Sequence, residues 1–130
     1  MSRDSVLARG QAAAVASMVD TCTIRRVTGT STNQDTGVIT PAYTTVYAGK
    51  CRTQQRASIA RQHDAGEDQE LLLMLEVQIP MAVTGVLVGD EVLISASRDA
   101  DLIGRSFLVR ELAHKTDASA RRIGVTERTT

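Results

Sequence analysis

A chain of 130 residues has room for one domain, because a single core of this size already buries roughly two thirds of the unfolded surface. Hydrophobic residues make up 42% of it but aromatics only 2%, so the core must be built from Val, Leu, Ile, Ala and Met around a lone Phe107, with Tyr43 and Tyr47 the only other rings. Fifteen basic residues balance fifteen acidic ones and there is no tryptophan, which excludes the basic field and stacking platforms of a dedicated nucleic-acid binder.

So thin a core gains from cover by neighbouring subunits, and oligomerisation is expected on that ground. No run is long and apolar enough to span a bilayer. Residues 1–19 carry Arg3, Asp4 and Arg9 where a signal peptide would be apolar, so a cytosol-like compartment is expected.

Residues 2–18 read as a helix, capped by Ser2 or Asp4, rich in Ala and weakened by Gly10. Leu7, Ala14, Val15 and Met18 fall on one side, and Leu7, Val15 and Met18 are its candidate packing or interface residues. The stripe is narrow, and it suits either this chain's own sheet or a partner's surface. From Asp20 the period becomes two. Thr21 to Val27 and Tyr43 to Cys51 form a hairpin (19–56) across a polar stretch, 28–40, whose turn is expected at Asp35-Thr36-Gly37. That register sets Ile24 against Gly49, Arg26 against Tyr47 and Cys22 against Cys51.

Residues 57–69 have no apolar period and read as a long polar loop. Its candidate functional residues are Ile59, Arg61, His63, Asp64, Glu67 and Asp68, of which the three carboxylates outweigh Arg61; the loop is a solvated surface or partner-docking arm or, in a ring, lines the channel. Residues 70–80 alternate Leu71, Leu73, Leu75, Val77 and Ile79 with Leu72, Met74, Glu76 and Gln78. This is the strongest strand, apolar on both faces in its first half and so expected to be covered on both. Gly85, Gly89-Asp90 and 99–105 mark turns around a strand at 92–96, and 106–112 with 120–127 close the chain as a hairpin that brings Val109 near Val125. The sum is a mainly β, single-domain chain (1–130): a small antiparallel barrel or sandwich, filling 70–130 with its later strands, behind one helix.

Catalytic and metal signatures are missing: no phosphate-binding glycine loop, no histidine pair at ligand spacing, no nucleophile elbow, no dinucleotide fingerprint. With His63 and His114 as the only histidines, neither an enzyme nor a bound cofactor or metal is expected. Cys22 and Cys51 lack the spacing of a redox or zinc pair and read as strand thiols, with a cross-strand disulfide the alternative. Arg121 and Arg122 are adjacent on a strand, so their guanidinium groups point apart.

The order and spacing of these elements resemble a known family. The Ala-rich helix leads into Val19-Asp20-Thr21-Cys22-Thr23-Ile24-Arg25-Arg26. Then come Asp35-Thr36-Gly37, Tyr43-Thr44-Thr45-Val46-Tyr47 and Gly49-Lys50-Cys51-Arg52. Gly89-Asp90, Asp101-Leu102-Ile103-Gly104-Arg105, Phe107-Leu108-Val109, His114-Lys115-Thr116 and Ala120-Arg121-Arg122 follow. Over nearly the whole chain this is similar to the head-closure, or stopper, proteins of siphophages that infect actinobacteria. The resemblance implies a homo-oligomeric ring in the virion's head-to-tail junction, assembled in the host cytoplasm. Its partners would be a head-side adaptor and portal and a tail-side terminator or tail-tube protein, with double-stranded DNA passing without sequence-specific contact and no membrane involved. A tail terminator is the near alternative; an oligonucleotide-binding barrel lacks its aromatics, and a small hydrolase its nucleophile and base.

Overall fold

A computed structural model describes residues 2–55, 59–62, 69–72 and 75–127. One helix, α1 (Arg3–Ser17), precedes the strands β1 (Asp20–Thr32), β2 (Ile39–Gln55), β3 (Ile59–Gln62), β4 (Gln69–Leu72), β5 (Leu75–Pro80), β6 (Glu91–Ala96), β7 (Ser106–Ala113) and β8 (Ala120–Glu127). Six of them form one antiparallel sheet in the order β1-β2-β5-β8-β7-β6, and β6 returns to β1 to close it. The mainly β fold behind a helix is therefore the one expected. It is an uneven ring: β2 meets β5 only over Arg52–Gln55, and β6 meets β7 only over Glu91–Leu93.

Alternate residues point inward along each strand, and these aliphatic positions make the core. Cys22 and Ile24, Val77 and Ile79, Val92 and Ile94, Phe107 and Val109, and Ile123 and Val125 are all fully buried. Val109 faces Val125 across β7 and β8, as the alternation predicts. The strand expected over 70–80 is two elements: β5 lies in the closed sheet, while β4 pairs with β3 as a separate two-stranded hairpin. That hairpin also corrects the reading of 57–69 as loop throughout. Its strands carry Ile59, Arg61 and Gln69 in a stretch without apolar alternation, so periodicity alone could not find them.

Helix α1 begins where Ser2 accepts the Ser5 N–H at 3.2 Å, and ends where the Met18 N–H returns to the Val15 carbonyl. Leu7, Gly10, Gln11, Ala14 and Val15 are half-buried and Met18 is buried, so the stripe lies on the chain's own sheet, against β5, β2 and β8. Two polar contacts fix the helix to the β7–β8 turn: Arg3 to Asp117 at 2.8 Å, and Gln11 Nε2 to the Ala118 carbonyl at 3.2 Å. Under this cover the outward residues of β5, Glu76 and Gln78, are buried too, and the Gln78 amide donates to Glu76 at 3.1 Å. β5 is thus covered on both faces, while the apolar first half of the expected strand, from which that cover was inferred, lies in β4 and outside the described side chains.

This packing ranks the helix residues. Met18→Ala should cost about 2–4 kcal/mol, as for other buried Met truncations, while Leu7→Ala and Val15→Ala, at half-buried sites, should cost roughly half as much. Urea unfolding of the three variants checks the order.

Candidate interaction surface

The hairpin of β1 and β2 outgrows the sheet. β1 leaves β6 after Arg25, and among the described residues β2 pairs with β1 alone until Arg52. Every residue from 27 to 41 is exposed, so the two strands continue as an arm. Its turn is built by Asn33, whose N–H donates to the Val38 carbonyl at 2.8 Å and whose carbonyl accepts from Gly37 at 2.7 Å. Gly37 takes a φ of +73°, which glycine adopts without steric cost. The polar stretch 28–40 is therefore strand on both sides of a turn over 33–38. Its threonines are β-formers, but with no core to face they show no apolar alternation. Along residues 27–42 Asp35 is the single charged side chain, while Val27, Val38 and Ile39 stand more than half exposed.

The hairpin register differs from that expected, by two residues where Ile24 faces Tyr47, Cys22 faces Gly49 and Asp20 faces Cys51, and by three where Arg26, between two bulges, faces Thr44 in place of Tyr47. The turn closes between Thr32 and Ile39. Two bulges, at Thr28 on one strand and Val46 on the other, cancel each other further down. A shift of two keeps every side chain on its face, so both cysteines still point into the core. The Tyr47 ring folds over Gly49, where a Cβ would lie 2.7 Å from its hydroxyl, and that hydroxyl donates to the Lys50 carbonyl at 2.7 Å. Only glycine fits beneath it.

Cys22 and Cys51 are diagonal neighbours, free and fully buried. The hydrogen bond between the thiols, together with burial, pushes the Cys51 pKa far above the ordinary value. Both belong to the aliphatic core.

Two adjacent arginines hold the root of the arm. Arg26 grips Asp90 with both arms of its fork, Nε to Oδ1 at 2.8 Å and Nη2 to Oδ2 at 3.0 Å, and also donates to the Gly85 carbonyl at 2.7 Å. Asp90 is 2% exposed and accepts the Leu87 N–H at 2.9 Å. Burial alone would raise its pKa, but the hydrogen bonds from Arg26 and Leu87 outweigh it, and the carboxyl titrates below its usual range. Hydrogen bonding to Asp90 likewise raises Arg26. On the opposite face of β1, Arg25 pairs with Glu91 and lies over the Tyr43 ring, 3.9 Å from its centroid. Gly89-Asp90 reads in sequence as a turn only. Its partner lies 64 residues away, and nothing local announces the pairing.

Of the residues singled out from sequence, His63, Asp64, Glu67 and Asp68 lie outside the described residues. Ile59 and Arg61 lie on β3. Arg121 turns one way, donating to the Met81 carbonyl at 3.0 Å, while Arg122 is exposed, so the pair does not converge. A groove of about 650 Å³ runs between α1 and the β7–β8 turn, lined by Leu7, Glu76, His114, Ser119 and Arg122 among others. No hydrogen bond joins His114 to Ser119 there. Among the described residues no cluster of side chains could hold a metal ion, and no helix is long and apolar enough to cross a membrane.

Residues 10–126 match the model of a family described as "Family of unknown function (DUF6093)", and the chain belongs to that family. No curated protein matches it.

Two outcomes follow from this geometry. The folded Asp90 carboxyl titrates below its unfolded value of about 3.9, so the stability it contributes is complete above that value and is lost as pH falls through the folded one. Asp90→Asn should lower Tm by roughly 5–10 °C at neutral pH, and less at strongly acid pH where the wild type has lost the same charge. Thermal unfolding across pH measures both. For the cysteines, a thiol-specific disulfide reagent at about pH 8 should modify neither in the native protein and both in strong denaturant.

Proposed function

We propose that this member of the DUF6093 family is a non-enzymatic structural subunit of a tailed bacteriophage's neck. It forms a ring that joins the DNA-filled head to the tail and helps to retain the genome. The observation that carries the reading is the division of the chain into a small closed sheet, whose interior is filled by its own aliphatic side chains, and hairpins that leave it. A closed interior offers no cleft for a substrate, whereas projecting strands offer backbone and side chains to neighbours. The order of motifs along the chain supports the same reading, and the absence of net charge suits a wall past which DNA slides without being held. The partners would be a portal-side adaptor above and a terminator or tail-tube protein below.

Replacing residues 28–40 by a short glycine turn should leave the sheet folded, because none of them is buried. In the encoding phage, that variant should yield DNA-filled heads that fail to hold tails. Mass spectrometry of purified virions that finds no copy of the chain would overturn the reading. Copies that co-purify with the tail tube in the absence of heads would move the protein to the tail end.

A further inference from the structure

The arm has two long edges, and only one of them is guarded. Counting down from the Asn33–Val38 pair, the ladder alternates, so Thr32/Ile39 and Thr30/Pro41 are the wide pairs whose own N–H and C=O groups point away from the hairpin. On β2 one of these outward positions is Pro41, which has no N–H to offer, and that edge is interrupted. On β1 the outward positions are Thr30 and Thr32, in the run Thr28-Gly29-Thr30-Ser31-Thr32. This edge carries no proline and no charge, and among the described residues no strand pairs with it beyond Arg25. Natural proteins blunt a free edge with lysine, proline or a cover, and here the β2 side is blunted and the β1 side is not.

We propose that the β1 edge of the arm is an interaction surface for a second copy of this chain. The two arms pair antiparallel about a two-fold axis into a four-stranded β2-β1-β1-β2 sheet, with Thr30 of each copy facing the other. The choice of occupant follows from the guard. Head-to-tail pairing of arms would need both edges of every copy, and Pro41 blocks one of them. Two-fold pairing needs only the open one, used twice. Antiparallel pairing sets outward position against outward position, so Thr30 meets Thr30 with threonines flanking it, a favourable cross-strand pair.

The contact is small. A stable interface takes about 20–30 residues from each side, and the arm has sixteen, with only one strand in register. The dimer should therefore be weak, with a dissociation constant of roughly micromolar or above. A ring contact is head-to-tail, so this pairing joins copies outside the ring and stands independently of the neck reading.

The test uses the full chain. Sedimentation equilibrium up to roughly 100 μM should show a monomer–dimer equilibrium. Thr30→Lys places like charges at the axis and should raise the dissociation constant by roughly tenfold or more without changing Tm, since Thr30 is exposed. Thr30→Cys should be joined into a covalent dimer by a short bis-maleimide, while the wild type should not, because Cys22 and Cys51 are fully buried. Ile39→Cys, on the guarded edge, should stay monomeric on the same treatment. A wild type that remains monomeric throughout overturns the proposal. So does a dimer that survives Thr30→Lys, or a mixture of the two cysteine variants that cross-links better than Thr30→Cys alone.

Discussion

Asp90 has almost no contact with water, and a carboxylate in that position is tolerable only if a cation and enough hydrogen-bond donors come with it. Arg26 supplies the cation in bidentate form and the Leu87 N–H supplies a further donor. Arg26 is also the first residue of β1 beyond its pairing with β6, so the charge requirement of one loop fixes the point at which the arm leaves the sheet. The same loop is tied to β7, with the Gly89 N–H donating to the Val109 carbonyl and the Val109 N–H to that of Asp90, both at 2.9 Å. Arm, loop and β7 are thereby held as one unit around a single buried charge.

That unit matters because the sheet has a weak seam there. β6 and β7 share only a short ladder, and a six-stranded ring with one phenylalanine has little apolar area to spare. Loops extend the ladder at both ends. The 85–90 loop does so through Val109, and the 97–105 loop does so through Ile94, whose N–H donates to Arg105 at 3.1 Å and whose carbonyl accepts from Gly104 at 2.8 Å. Gly89 and Gly104 both take positive φ at these points, which lets each loop turn its amide back onto a strand. Main-chain hydrogen bonds between loop and strand do here what a wider aromatic core does elsewhere.

The parts of this architecture legible in the sequence are those in which a residue's own neighbours carry the signal. Alternation found the inward faces of β1, β5, β6, β7 and β8, and the Ser2 cap with its Ala-rich run found α1, because burial imposes a period. The arm has no buried face and imposes none, so its threonines read only as a polar stretch around the turn. β3 was missed because residues 57–69 carry no apolar alternation. The hairpin register at the cysteines slipped by two because the turn closes between Thr32 and Ile39, one position earlier than the Asp-Thr-Gly composition suggested, and a slip of two leaves each of those residues on its face. The grip of Arg26 on Asp90 was hidden by its sequence separation: two charges in different segments declare a pairing only once the sheet has closed.

The composition of the arm follows from what a strand edge exposed to water must do. An apolar edge would bind anything with a free strand, and a charged edge would bind nothing. Threonine and serine on β1 keep the strand extended and wetted while leaving its amides open, so any affinity comes from main-chain hydrogen bonds that each replace one made to water. Contacts of that kind are weak singly and gain strength only when several copies are held in place together. A firmly rooted arm with an open polar edge therefore has most to gain where two copies are already held with those edges facing each other.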